Sequence, residues 1–386
     1  DYLLEPKGMR ESQVAAVSAA EWEDREKEAL YSASQWKLMA WRLRKHKLAL
    51  VGAAVLVLLY LMAAFAPFIA PYGPQQRTPY PYFPPQKVYL YDRDTRSIRP
   101  YVHGIKKERD PDTLALRFSE DTSTKYYIRF FVQGAPYKLL GLFTTDRHLF
   151  GVGPDAYVFL FGTDSTGRDL FSRTVRASSL SLSVGIVGVA LSFVLGLILG
   201  SISGYYGGVA DSVIQNLVAF LSATPTIPLW MGLSAALPPQ WPVVKVYFGI
   251  TVILSFIGWT GLARVVRGKI LQLREEVFVE AARLAGASSA RIMFTHLLPS
   301  CMSYLMVSIT LSVPSMILGE TALSFLGLGL REPAVSWGVL LQQAQNVRNV
   351  VLYPWLMIPV IFVVVTALAF NFLGDGLRDA ADPYAR

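Results

Sequence analysis

Asp164, Arg168 and Asp169 bring two carboxylates and a guanidinium together between and just after Gly162 and Gly167. Paired acids at such spacing can serve as general acid and base, or one can act as a nucleophile, but nucleophilic work needs a base at hand. No histidine or lysine accompanies them in sequence, so the stretch reads as a capped turn closed by carboxylate–arginine pairing, with no catalytic residue assigned. The histidines His46, His103, His148 and His296 share no metal-ligand spacing, and no metal site is expected. Cys301 is the single cysteine, which excludes an internal disulfide framework. It reads as a small buried residue.

These groups sit in a chain built for lipid. Of its 386 residues 53% are hydrophobic and only 17% charged, below the roughly 25% charge of a soluble domain, and the mean hydropathy is +0.37. A span needs about 20 mostly apolar residues. Six segments qualify: Leu48 to Ala70, Leu180 to Ser203, Val213 to Leu237, Val246 to Ala263, about Ser300 to Leu328, and Tyr353 to Leu373. The second is rich in Gly and Ser, which lets helices approach closely. The third holds Pro225 and Pro228 and is expected to kink or break near its middle, where the two prolines could make a gate hinge or a kink with no gating role.

Lys and Arg orient the bundle. Lys37, Arg42, Arg44, Lys45 and Lys47 precede the first span, and Arg264, Arg267, Lys269, Arg274, Arg283 and Arg291 lie between the fourth and fifth. The short loops on the other side hold only Lys245, Arg331 and Arg348. Both termini are therefore expected in the cytoplasm, and the net charge of +8 reflects anchoring to an anionic inner leaflet. Nucleic-acid binding is excluded, since it asks for a soluble basic face with interleaved aromatics.

The resulting plan is an all-α polytopic membrane protein with a β-rich extracytoplasmic insertion. Residues 1–47 form a cytoplasmic segment, 48–70 the first span, 71–178 the insertion, 179–375 the transmembrane core with a cytoplasmic loop at 264–299, and 376–386 a cytoplasmic tail. Glu5 to about Trp36 has helical spacing and reads as an amphipathic helix or a solvated lead-in. The insertion begins with Pro71, Pro74, Pro79, Pro81, Pro84 and Pro85, which favour extended chain. Strand-like runs follow at Lys87 to Tyr91, Leu114 to Phe118 and Lys125 to Val132. Docking of a partner, roofing of a pathway and simple stabilisation are all open to it.

Within the spans, Glu320 lies toward the outer end of the fifth. A charge there costs about 2.5–3.5 kcal/mol on insertion scales, so it must face protein or water. It is either a pathway carboxylate or one hydrogen-bonded to a neighbouring helix. Gln215, Asn216 and Asn371 are open to two similar readings, interhelical hydrogen bonding or contact with a ligand.

The loop after the fourth span runs Glu280-Ala281-Ala282-Arg283-Leu284-Ala285-Gly286 and, nine residues on, His296-Leu297-Leu298-Pro299. The spacing predicts a helix over Glu275 to Leu284, a left-handed turn at Gly286, an N-cap at Ser288 or Ser289, and entry into the fifth span at Pro299. Ala281, Ala282, Ala285 and Ala287 would let a partner's surface come close. Glu280 either meets that partner or stabilises its own helix-turn, and Arg283 and Arg291 are either coupling contacts or orienting charges.

This loop resembles the E-A-A-x3-G-x9-I-x-L-P loop of ABC importer membrane subunits. Glu280, Ala281, Ala282, Gly286, Leu298 and Pro299 match, and His296 in place of the usual Ile resembles the dipeptide/oligopeptide variant. Phe161-Gly162-Thr163-Asp164-Ser165-Thr166-Gly167-Arg168-Asp169 resembles the signature turn of that subgroup's C-type permease. Ser324 to Gly329, Asn371 to Asp379 and Asp382-Pro383 are similar to it too, while most of Pro71 to Leu160 is left uncovered and looks enlarged. The resemblance implies a type I importer permease fold in a bacterial inner membrane. It implies a second homologous permease, two cytoplasmic ATPases that bind ATP and Mg, and an external peptide-binding protein. This chain itself has no G-x-x-x-x-G-K-S/T run to cradle phosphates, so no cofactor and no ATP hydrolysis are expected on it. Import of nickel, glutathione or an oligosaccharide is the neighbouring alternative. An ATP-independent secondary transporter would be expected to show repeated halves and more ionisable residues near mid-membrane.

Overall fold

The computed structural model describes residues 35–92, 94–109, 116–153 and 156–381. Most of the amphipathic helix expected over Glu5 to Trp36, and the Asp382-Pro383 pair, lie outside the described residues.

Helix α1 (Gln35–Lys45) ends on Arg42, Arg44 and Lys45. The chain turns at His46, whose Nδ1 accepts the Ala49 amide at 3.1 Å and so caps α2 (Lys47–Ala64). A short α3 (Ala66–Ile69) follows. After the outer segment come α4 (Leu170–Tyr206), α5 (Gly208–Ala223), α6 (Thr226–Ala235) and α7 (Val243–Leu273). Then follow α8 (Val277–Leu284), α9 (Ser289–Arg291), a π-helical turn over Ile292–Leu297, and α10 (Leu298–Phe325). The chain closes with α11 (Trp337–Leu341), α12 (Val347–Leu352) and α13 (Ile358–Ala381).

Among the described residues, five helical stretches are long and apolar enough to cross a bilayer, and α5 with α6 makes a sixth if that bent pair is one span. The two helices meet at 91°. Pro225 forces this: the residue before a proline is driven out of the helical region, and Thr224 is extended at φ −84°, ψ 131°. The second span starts earlier than its apolar run suggests, at Leu170, and the sixth continues through Ala381.

Small residues set the packing. Gly196, Gly200 and Gly204 line one face of α4 against α7, where a Cβ on Gly200 would stand 2.6 Å from the Ala263 carbonyl. Gly52 of α2 comes equally close to the Ala369 carbonyl of α13. Without a hydrophobic drive between helices in lipid, such close backbone approach is what holds spans together. The outward faces stay apolar and bare, with Leu58, Phe220 and Ile361 exposed.

Among the described residues, the β-rich insertion comes down to two small sheets. β1 (Tyr101–Arg109) pairs antiparallel with β2 (Leu116–Tyr127), and β3 (Arg129–Leu139) with β4 (Phe143–Gly151). The two sheets do not join. Lys87 to Tyr91 forms no strand beyond one bridge, Tyr89 to Tyr101, and Lys125 to Val132 is split at Ile128. The proline run, Pro71 to Pro85, lacks the amide donors a ladder needs and forms no strand. That run instead lies along residues 159–167 through scattered bonds: Thr78 N to Gly167 O at 3.1 Å, Tyr82 N to Asp164 O at 2.9 Å, and Gln86 N to Phe159 O at 2.9 Å. Tyr80, Phe83, Phe118, Tyr157 and Phe159 pack edge-on and tilted around this seam.

Candidate functional site

The loop between α7 and α10 folds as a helix, a turn and a second helical start. Gly286 takes φ +78°, a region that costs an L side chain about 1–2 kcal/mol. Its amide donates to the Arg283 carbonyl and that of Ala287 to the Ala282 carbonyl, both at 3.0 Å, which is a Schellman closure. Ser288 then caps the next turn by accepting the Arg291 amide at 3.3 Å. Pro299 has no amide to give the preceding turn, and the chain widens into the π-helical turn directly before it. His296 sits half-buried in that turn, and its carbonyl accepts the Ser300 hydroxyl at 2.7 Å.

Val279 is fully buried and, with half-buried Ala282, pins α8 onto Ile292, Leu297 and Ile270. The opposite face has nothing on it: Val277 is 79% and Leu284 91% exposed, and Phe278, Ala281 and Ala285 are exposed beside them. Among the described residues no donor reaches the Glu280 carboxylate, so it does not cap its own turn. Arg283 stands 5.8 Å over the Tyr205 ring at the end of α4, and Arg291 is exposed. Behind the loop, Arg267 grips Asp211 with two bonds of 2.6 Å, which locks α7 to α5.

At the other end of the helices Asp164 is the hub of the signature turn. One of its oxygens takes the amides of Thr166 at 2.8 Å and Arg168 at 3.1 Å. The other takes Arg168 Nε at 2.7 Å and a guanidinium N–H of Arg173. Arg168 also holds Glu332 with two bonds of 2.8 and 2.7 Å, and Arg173 adds a third at 2.7 Å. Burial works against the charge on Asp164, but the two guanidiniums outweigh it and hold its carboxyl below the usual range. The Arg168 hydrogen bonds lower Glu332 to about 2. Asp169 instead caps α4, accepting the Ser172 amide at 2.7 Å, and burial pushes its carboxyl up to about 7. Gly162 and Gly167 both take positive φ, and a Cβ on either would strike the Phe83 or Thr78 carbonyl of the proline-rich run. Arg173 and Glu332 are the members that sequence reasoning missed.

Glu320 is fully buried. Ser324 and Ser336 donate to it at 2.7 Å and Ser181 at 3.3 Å. Each serine accepts a backbone amide in turn: Leu330 at 2.9 Å, Val339 at 3.3 Å and Trp337 at 3.1 Å. The carboxylate thus knots α4, α10 and α11 together and does not open on a pathway. Gln215 donates to Ser203 at 3.0 Å. Asn216 and Pro225 are exposed on α5 and at its elbow, so neither is absorbed into the chain's own packing.

Comparison with known proteins follows the same division of the chain. A family model described as "Binding-protein-dependent transport system inner membrane component" matches residues 196–386. Another, "N-terminal TM domain of oligopeptide transport permease C", matches residues 34–85. The oligopeptide transport system permease protein OppC of Bacillus subtilis strain 168 is 32% identical over 382 residues, 99% of this chain and 98% of its own length. The dipeptide transport system permease protein DppC of the same organism is 30% identical over 358 residues, 92% of this chain and 87% of its own. The OppC protein of Haemophilus influenzae is 41% identical over 245 residues, 63% of this chain and 76% of its own. The chain belongs to the OppC/DppC family of oligopeptide and dipeptide transport permeases. The alignment with the first relative runs nearly end to end, so the long segment that the motifs leave uncovered is not peculiar to this chain.

Proposed function

We propose that this chain is a membrane permease subunit of an ATP-driven peptide importer, and that α8 with its Gly286 turn is where cytoplasmic ATPases dock. The observation that carries the coupling assignment is the bare apolar face of α8. Val277, Ala281 and Leu284 repeat at helical spacing on a short element anchored on its other face by Val279 and Ala282. A solvated connector gains nothing from exposing them, whereas a groove on another subunit would bury them. Peptide as the cargo is supported by the names of the relatives. The arginine-rich end is then cytoplasmic in a bacterial inner membrane. A second homologous permease completes the pathway and an external binding protein delivers the peptide, while ATP and Mg belong to the ATPases.

Mechanically, ATP-driven closure of the ATPase pair moves the docked elbow, and the pinned Val279 passes that motion to α7 and α10. ATP biases inward-open against outward-open only through its differential affinity for the two states. The test is co-purification of the ATPases together with peptide uptake in cells making Gly286→Pro or Glu280→Lys. Pro cannot adopt φ +78°, so that variant should stay in the membrane but lose both partners and transport. Unchanged co-purification and uptake in both variants would reject the assignment.

A further inference from the structure

A cavity of about 710 Å³ lies between α1, the end of α7, the start of α10 and the end of α13. It opens at the arginine-rich end of the bundle, beside the α8 elbow but lined by none of its residues. Arg42, Lys269 and Arg378 line it, and among the described residues no acidic one does. Asp379, next to Arg378, is turned to His46 at 3.4 Å, and Glu275 is paired with Arg274 at 2.9 Å. Among the described residues no carboxylate comes within ion-pair reach of Lys269 or Arg378. The Lys269 ammonium instead stands 5.0 Å over the ring of Tyr304.

The cavity is two-sided. Met39, Cys301 and Val307 are buried and make an apolar floor, while Gln272, Ser300 and Ser303 add polar groups beside the cations. On α1, Trp41 is 43% exposed, with the Lys45 ammonium 3.4 Å over its ring, the arrangement of an aromatic anchor at the level of the headgroups. Cations above an apolar floor, at the depth where hydrocarbon gives way to headgroups, suit an amphiphile with a negative head. A soluble anion would have no use for the floor.

We propose that this cavity holds an anionic phospholipid of the adjoining leaflet, its phosphate on Lys269 and Arg378 and the first methylenes of its acyl chains against Met39 and Val307. The site ties α1 to α7, α10 and α13 at the ends that must move when the bundle changes state. It rests on α1 and on three of the membrane-spanning helices, and stands whatever solute is carried.

Native mass spectrometry of the purified full chain in neutral detergent tests it, with phosphatidylglycerol and phosphatidylcholine offered at equal amounts. Wild type should retain phosphatidylglycerol over phosphatidylcholine, and Lys269→Gln with Arg378→Gln should weaken that retention about five-fold per charge removed. Lys245→Gln with Arg348→Gln removes the same charge at the opposite end and should leave it intact. Equal retention of the two lipids by wild type overturns the proposal without any variant. So does undiminished phosphatidylglycerol binding in the Lys269/Arg378 pair, or an equal loss in the Lys245/Arg348 pair. Inorganic phosphate displacing the lipid completely at millimolar concentration would show a free-anion site and overturn the lipid assignment.

Discussion

The two ends of the bundle handle exposed chemistry in opposite ways. Around Asp164 two carboxylates and two guanidiniums answer one another, and every strong bond is made within the chain. Around Gly286 the backbone is just as well specified, by a Schellman closure and a serine cap, yet the outer face of α8 is left bare. Well-made backbone with unmet side chains is the mark of a docking element. Well-made backbone with met side chains is the mark of a strut.

Breaking the strut should have the largest effect. Asp164→Ala leaves the Arg168 and Arg173 side chains, 4% and 1% exposed, without their central partner. Removing one member of a buried pair typically costs about 3–5 kcal/mol. Thermal unfolding of the purified protein should shift sharply downward, and membrane yield should fall with it. An unchanged melting temperature would mean that Glu332 alone carries both arginines.

Breaking the docking face should leave stability untouched. Leu284 is 91% exposed, so Leu284→Asp should change folding stability by no more than about 0.5 kcal/mol. A hot-spot position loses about 2 kcal/mol or more of binding when its apolar contact is removed, roughly thirty-fold in ATPase affinity. Co-purification and uptake report that loss. A lowered melting temperature with full ATPase capture would reverse the contrast between the two ends.

Glu320 tests the strut principle inside the membrane. Glu320→Ala leaves three serine hydroxyls without their acceptor, at a cost of about 1–3 kcal/mol, and Glu320→Gln should cost less. Peptide KM should not move in either, because the group faces no open path. A raised KM at unchanged stability would return Glu320 to the pathway.

What could be read from residue types was local. Gly286, Ser288 and the Pro225 break each depend on a few neighbouring residues, and each appears where its chemistry demands. Asp164 and Arg168 are four residues apart, so their pairing was legible as well. Glu332 is 164 residues from Arg168 and has no local signal beyond being an acid in a short loop. Arg173 hid inside an apolar helix. The buried helix α11, which carries Trp337 into the core, was missed because it is too short for periodicity to show. Leu114 to Phe118 and Lys125 to Val132 fall on β2 and β3 where they are described, while β1 went unread and Lys87 to Tyr91 was misplaced: pairing is settled by partners elsewhere in the chain, and β1, with Lys106, Lys107, Glu108 and Arg109, lacks the usual strand composition.

The smallest effect should come from Glu332, whose side chain is 44% exposed and therefore screened by solvent. Its folded value of about 2 lies below the ordinary 4.5, so the ionised form is the one the fold favours. The stability it contributes is complete above about pH 4.5 and is lost as pH falls through about 2. Glu332→Gln removes that dependence, keeps the shape, and should cost about 1 kcal/mol or less near neutrality. Melting curves between pH 7 and pH 3 should start slightly apart and converge as the acid limb is entered. Curves that stay parallel would assign the acid sensitivity of this end to Asp164, and would make Glu332 a spectator of a cluster complete without it.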